Sequence, residues 1–124
     1  MLALFDSGFG GLTVLNEIRK VLPQYSYLYL GDNGRNPYGG RSQEVIYSYT
    51  KQAVDFLAKQ GATLIIIACN TASAEALRKI QQEYLPAHHP NLKVLGVLRP
   101  TIEIALEQSK SKKIGVVATR STVS

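Results

Sequence analysis

The sequence has 124 residues, 45% of them apolar, which suits one domain or one structural half with an ordinary packed core. Its net charge of +5 comes from 14 basic and 9 acidic residues spread along the chain, without the basic stripe and interleaved aromatics of a nucleic-acid reader. No apolar run approaches the roughly 18 residues of a membrane span, and a single cysteine excludes an intramolecular disulfide, so the expected location is the reducing cytoplasm.

Strand and helix signals alternate with little slack. Residues 2–5 are a short apolar run, followed by the glycine-rich turn Asp6-Ser7-Gly8-Phe9-Gly10-Gly11. Leu12, Leu15, Ile18 and Leu22 then recur at helical spacing up to Pro23. Tyr25 to Leu30 alternates as a second strand and ends in Gly31-Asp32. A polar loop through Asn36-Pro37-Tyr38-Gly39 leads to Ser42, an N-cap for a helix carrying Val45, Ile46, Tyr49, Ala53, Phe56 and Leu57. Gly61 stops that helix, and Leu64 to Ala68 is a third strand. Residues 72–84 read as a helix, and Pro86 to Asn91, with His88 and His89, as a solvated loop with no carboxylate or thiol at metal-ligand spacing. Lys93 to Val97 is a fourth strand, Pro100 opens a helix, and Ile114 to Ala118 is a fifth strand followed by Thr119-Arg120-Ser121-Thr122. This order predicts an α/β fold, a mostly parallel sheet with helices on both faces. A parallel sheet is covered on both faces, so the turn after the fifth strand suggests an incomplete half of a larger protein.

Three loops follow three strands and so converge on one sheet edge, where open α/β sheets bind ligands. They are Asp6-Ser7-Gly8, Asn36-Pro37-Tyr38-Gly39 and Cys69-Asn70-Thr71. Cys69 sits where Leu64-Ile65-Ile66-Ile67-Ala68 breaks into a small polar cluster that opens a helix. A thiol at a helix N-terminus favours the thiolate, the reactive form, and is expected to be partly exposed. The bland alternative is a buried packing cysteine. With no lysine or arginine in the first or third loop, the set suits a small zwitterion held by N–H and hydroxyl donors. Gly8, Gly10 and Thr13 with Asp32 further on approximate a dinucleotide fingerprint, weakened by Thr13 at the third glycine position and by the like charge of Asp6.

Phe5-Asp6-Ser7-Gly8-Phe9-Gly10-Gly11-Leu12-Thr13-Val14-Leu15, then Gly31-Asp32 with Arg35 and Pro37-Tyr38-Gly39, then Ala68-Cys69-Asn70-Thr71-Ala72-Ser73-Ala74 resemble the N-terminal half of the bacterial glutamate racemase family. That family lies within the cofactor-independent aspartate/glutamate racemase superfamily. Gly115 to Thr119 and Thr122 resemble its next strand and turn. Asn33-Gly34 replaces a more common Thr-Ala before Arg35, and Arg99 stands where the family more often has an acidic or neutral residue.

The resemblance implies two similar α/β domains closing over the substrate, each supplying one cysteine. Residues 1–98 would be the first domain and 99–124 the start of the second. It makes Cys69 one catalytic thiol, assisted or positioned by Asp6. It places Asp6, Ser7, Tyr38, Gly39, Asn70, Thr71 and Thr119 at the substrate. It further implies interconversion of L- and D-glutamate without cofactor or metal, D-glutamate serving peptidoglycan synthesis. The second cysteine, in a Cys-Thr-His motif, would lie beyond this chain, so the chain alone is expected to be inactive. Its uncovered apolar surface leaves a homodimer open. The alternatives are an aspartate or other amino-acid racemase, or a non-catalytic nucleotide- or amino-acid-binding module.

Overall fold

Four short strands, β1 (Leu2–Asp6), β2 (Tyr27–Gly31), β3 (Leu64–Ile67) and β4 (Lys93–Gly96), pair in parallel in the order β2-β1-β3-β4. They come from a computed structural model that describes residues 1–123. The expected α/β architecture is present. In the register, Phe5 lies opposite Leu30 on one side and Ile67 on the other, so the first and third loops leave the sheet side by side.

Side chains alternate across a strand, and the alternation divides the apolar residues between two faces. Ala3, Phe5, Ile65 and Ile67 point toward α2 (Gln43–Lys59) and α3 (Asn70–Glu75), where they join Ile46, Val54, Leu57, Ala72 and Ile80 in the main core. The helix α2 starts at Ser42, whose Oγ accepts the Val45 N–H at 3.3 Å. It ends before Gly61, which holds φ +100, a left-handed value that costs a glycine little. The opposite face carries Leu2 and Leu4 beneath α1 (Gly11–Val21), with α6 (Leu98–Gln108) beside it.

After α3 the chain continues through α4 (Leu77–Lys79), a π-helical turn at Ile80–Tyr84 and α5 (Leu85–His88). The predicted loop from Pro86 is therefore helical as far as His88. Pro86 falls in the first turn of α5, at its join with the π-helical turn. Nor is the histidine pair simply solvated. His89 Nε2 lies 2.8 Å from Asp55 Oδ1, and Tyr84 Oη donates to both oxygens of the same carboxylate at 2.5 and 2.6 Å.

The fifth strand is a second correction. Residues 113–118 make no ladder, and Val116 and Val117 are exposed. An alternating β-branched pattern becomes a strand only when a neighbour takes its backbone hydrogen bonds, and none does among the described residues. The segment runs instead to α7 (Arg120–Val123), which packs against α3. Ser124 lies outside the described residues, and no helix among them is long and apolar enough to cross a membrane.

Candidate active site

The carboxyl ends of β1 and β3 open into a cavity of ≈ 550 Å³. Asp6, Ser7, Cys69, Asn70, Thr71 and Thr119 all stand on its wall, joined by Thr101 from α6 and Thr122 from α7. Among the described residues that line it, Asp6 and Cys69 are the two titratable side chains, and none is a lysine or arginine.

Each side chain has a structural reason for its place. Asp6 is the last residue of β1, and its Oδ2 accepts the Gly11 N–H at 3.0 Å, capping the unpaired first turn of α1. Cys69 is the N-cap of α3. The Ala72 N–H donates to Sγ at 3.4 Å. On its other side Sγ lies 3.6 Å from Ser7 Oγ. The thiol is buried, 5% exposed, rather than partly exposed as its position suggested.

Thr71 Oγ1 is 2.9 Å from Thr119 Oγ1 and 3.4 Å from Thr122 Oγ1, and those two hydroxyls are 3.0 Å apart. Ser121 Oγ donates to the Gly39 carbonyl at 2.9 Å. A Cβ on Gly39 would fall 2.6 Å from Thr119 Cγ2, so glycine is what lets the 119–122 turn seat on this loop. The turn thus bridges the second and third loops across the cavity mouth.

Tyr38 and Gly39 are the two predicted site residues that do not line the cavity. The Tyr38 ring is 1% exposed within the core, against Phe5 and Tyr49, and its hydroxyl donates to Asp32 Oδ2 at 2.5 Å. Burial, then the Asp32 carboxylate, push this phenol well above its ordinary range. It is an anchor for its loop. Asp32 also accepts from Arg35 Nε at 2.7 Å, and Arg35 stacks 3.8 Å over the Tyr49 ring.

These contacts remove the dinucleotide reading. The Asp6 carboxylate occupies the α1 N-terminus, where a pyrophosphate would have to sit, and Asp32 is committed to Arg35 and Tyr38. Among the described residues no three His, Cys, Asp or Glu side chains gather to hold a metal ion. Thr101 had no legible signal, because nothing in the sequence says that the first turn of α6 faces this edge.

The sequence profile of the Asp/Glu/Hydantoin racemase family matches residues 13–124. The chain belongs to that family. It is 44% identical over 122 residues to the glutamate racemase of Aquifex aeolicus, covering 98% of this chain and 46% of the relative. Among solved structures, the glutamate racemase of Aquifex pyrophilus matches with a TM-score of 0.89 at 44% identity, over 98% of this chain and 46% of that one. A glutamate racemase of Francisella tularensis, solved in complex with D-glutamate, matches at 0.82 and 36% identity, over 98% and 43%. The chain spans a little under half the length of these relatives. Within this racemase-family fold the two noted departures are local: Asn33-Gly34 forms a short 3₁₀ turn with Arg35, and exposed Arg99 pairs with Glu103 one helical turn on.

Proposed function

We propose that the whole protein is a glutamate racemase and that Cys69 is one of its two proton-transfer groups. The observation that carries this reading is the grouping of Cys69 Sγ, Ser7 Oγ and the Asp6 carboxylate in a cavity with no lysine or arginine among its described lining residues. The relatives' names and the D-glutamate in one of their structures support the choice of substrate.

Inverting the α-carbon requires breaking its C–H bond on one face and forming a new one on the other. The Cys69 thiolate takes the α-proton, forming S–H, and leaves the electron pair on carbon, delocalised toward the substrate carboxylate. Hydroxyl and amide donors from Ser7, Asn70, Thr71 and Thr119 stabilise that charge where it develops. Tyr38 serves by fixing the loop that carries Gly39. Asp6, held by the Gly11 N–H, is placed to orient the substrate ammonium or the thiol. A second acid on the opposite face completes the inversion, and the reading assigns it to a cysteine outside this chain. No pyridoxal-type electron sink is needed, since a positioned base and preorganised donors carry the step.

In this reading residues 1–98 belong to the first of two α/β domains and 99–124 begin the second. The protein works in the cytoplasm and supplies D-glutamate for peptidoglycan synthesis. The test is conversion of L- to D-glutamate, followed by chiral chromatography. The whole protein turns over at about 1 per second or faster, Asp6→Asn loses at least about tenfold with its folding intact, and the 124-residue chain alone shows no conversion. Enzyme-like turnover by the short chain would contradict the two-domain reading.

A further inference from the structure

The strand β2 carries tyrosines at alternate positions, Tyr27 and Tyr29, opposite Leu2 and Leu4 of β1, so both rings stand on the α1 face. Each hydroxyl donates to a main-chain carbonyl at one end of α1. Tyr27 Oη reaches Leu22 O at 2.6 Å, just past the helix C-terminus, and Tyr29 Oη reaches Gly8 O at 2.7 Å, just before its N-terminus. The two bonds are alike in chemistry and burial, but only the second holds the loop that bears Asp6 and Ser7.

The packing around Tyr29 is tight enough to dictate its neighbours. A Cβ on Gly11 would lie 2.9 Å from Tyr29 Oη and 2.9 Å from Asp6 Cβ. A Cβ on Gly31 would lie 2.8 Å from the Gly8 carbonyl that Tyr29 holds, and 3.3 Å from the tyrosine ring. Two glycines, Gly11 at the start of α1 and Gly31 at the end of β2, are thus needed to let this one hydroxyl sit under the turn. Burial, then the Asp6 charge, push the Tyr29 phenol up to about 12.

We propose that Tyr29 is a positioning residue for the Cys69 site. Its hydroxyl holds the Gly8 carbonyl and so sets the turn that brings Ser7 to Cys69 Sγ and seats the Asp6 carboxylate on the Gly11 N–H. The inference rests on the racemase reading above. It predicts that losing one hydroxyl outside the cavity wall slows proton transfer, because small misplacements of reacting groups are costly.

The experiment compares Tyr29→Phe with Tyr27→Phe and Cys69→Ser in the whole protein, measuring glutamate racemization and thermal unfolding. Both tyrosine variants should lower the thermal midpoint alike, by about 2–4 degrees. Tyr29→Phe should lower kcat about tenfold or more while KM changes less than about threefold, and Tyr27→Phe should leave kcat within about twofold. Unchanged kcat in Tyr29→Phe overturns the inference, as does an equal loss of kcat in Tyr27→Phe, which would mark both bonds as merely structural. A wild-type protein without racemization removes the racemase reading, a Cys69→Ser variant that keeps its turnover removes the Cys69 assignment, and either takes the inference with it.

Discussion

The two faces of the sheet are built from similar apolar residues and end up in different environments. On the α2/α3 face, Phe5, Ile65, Ile67, Ile46 and Leu57 are all fully buried. On the α1/α6 face, Leu4 is fully buried, yet Leu95 is 51% exposed and Ile104 58% exposed, and the groove between the helices, floored by Ile66, encloses ≈ 760 Å³. The first face is a closed scaffold and the second a partly covered one. The Cys69 site draws on both. Cys69 and Thr71 come from the chain that packs the closed face, whereas Asp6 and Thr101 come from the open one.

Substitutions on the closed face should therefore cost most. Phe5→Ala removes a ring that supports Tyr38 beneath the site, and about 3–5 kcal/mol of stability should go with it, read by urea unfolding. A cost below about 1 kcal/mol would show that this face is looser than its burial indicates. Next in size, Thr71→Ala removes a buried hydroxyl at the junction of the third loop with Thr119, and glutamate binding should weaken by about 1–3 kcal/mol, read by calorimetry on the whole protein. An unchanged affinity would separate that junction from the substrate.

The Asp55 cluster, on the outer side of α2, offers a pH test. Burial alone would raise the Asp55 carboxyl, but hydrogen bonds from Tyr84 and His89 and the charges of His89 and Lys59 outweigh it and hold the group below its ordinary value of 3.8. A depressed folded-state value means that the stabilisation is complete above the ordinary value and is lost as pH falls through the folded one. Both partners are partly exposed, with side-chain exposures of 25% and 36%, so the gain is about 1 kcal/mol or less. Thermal midpoints recorded from pH 6 down to pH 2 should fall less steeply for Asp55→Asn than for wild type; parallel curves would leave the cluster without a role. The smallest effect belongs to the open face, where Ile104→Ala should change stability by no more than about 0.5 kcal/mol. A loss of several kcal/mol there would mean that the groove is closed in solution.

The same contrast explains what the sequence made legible. Uninterrupted apolar runs bounded by Gly, Asp and Asn mark β1 and β3, and parallel pairing then forces Asp6, Ser7, Cys69, Asn70 and Thr71 onto one edge. That inference needs only strand direction. Where coverage or a partner decides, local pattern is silent. Ile114 to Ala118 alternates like a strand yet has no ladder to join, and Pro86 reads as a breaker although α5 accepts it in its first turn. Tyr38 reads as a polar handle on a glycine-rich loop, but its hydroxyl finds Asp32 inside the fold. Tyr29 alternates like any packing residue of β2, and only the fold reveals the carbonyl it holds.

The central claim is that Cys69 carries a proton to and from the α-carbon of glutamate. Incubating the whole protein with L-glutamate in deuterium oxide and following the α-proton by NMR tests it directly. Wild type should wash out that proton as it racemizes, and Cys69→Ser, nearly isosteric but a far weaker acid, should do so at less than about a hundredth of the rate with an unchanged fold. Exchange by the serine variant at a rate close to wild type would contradict the assignment.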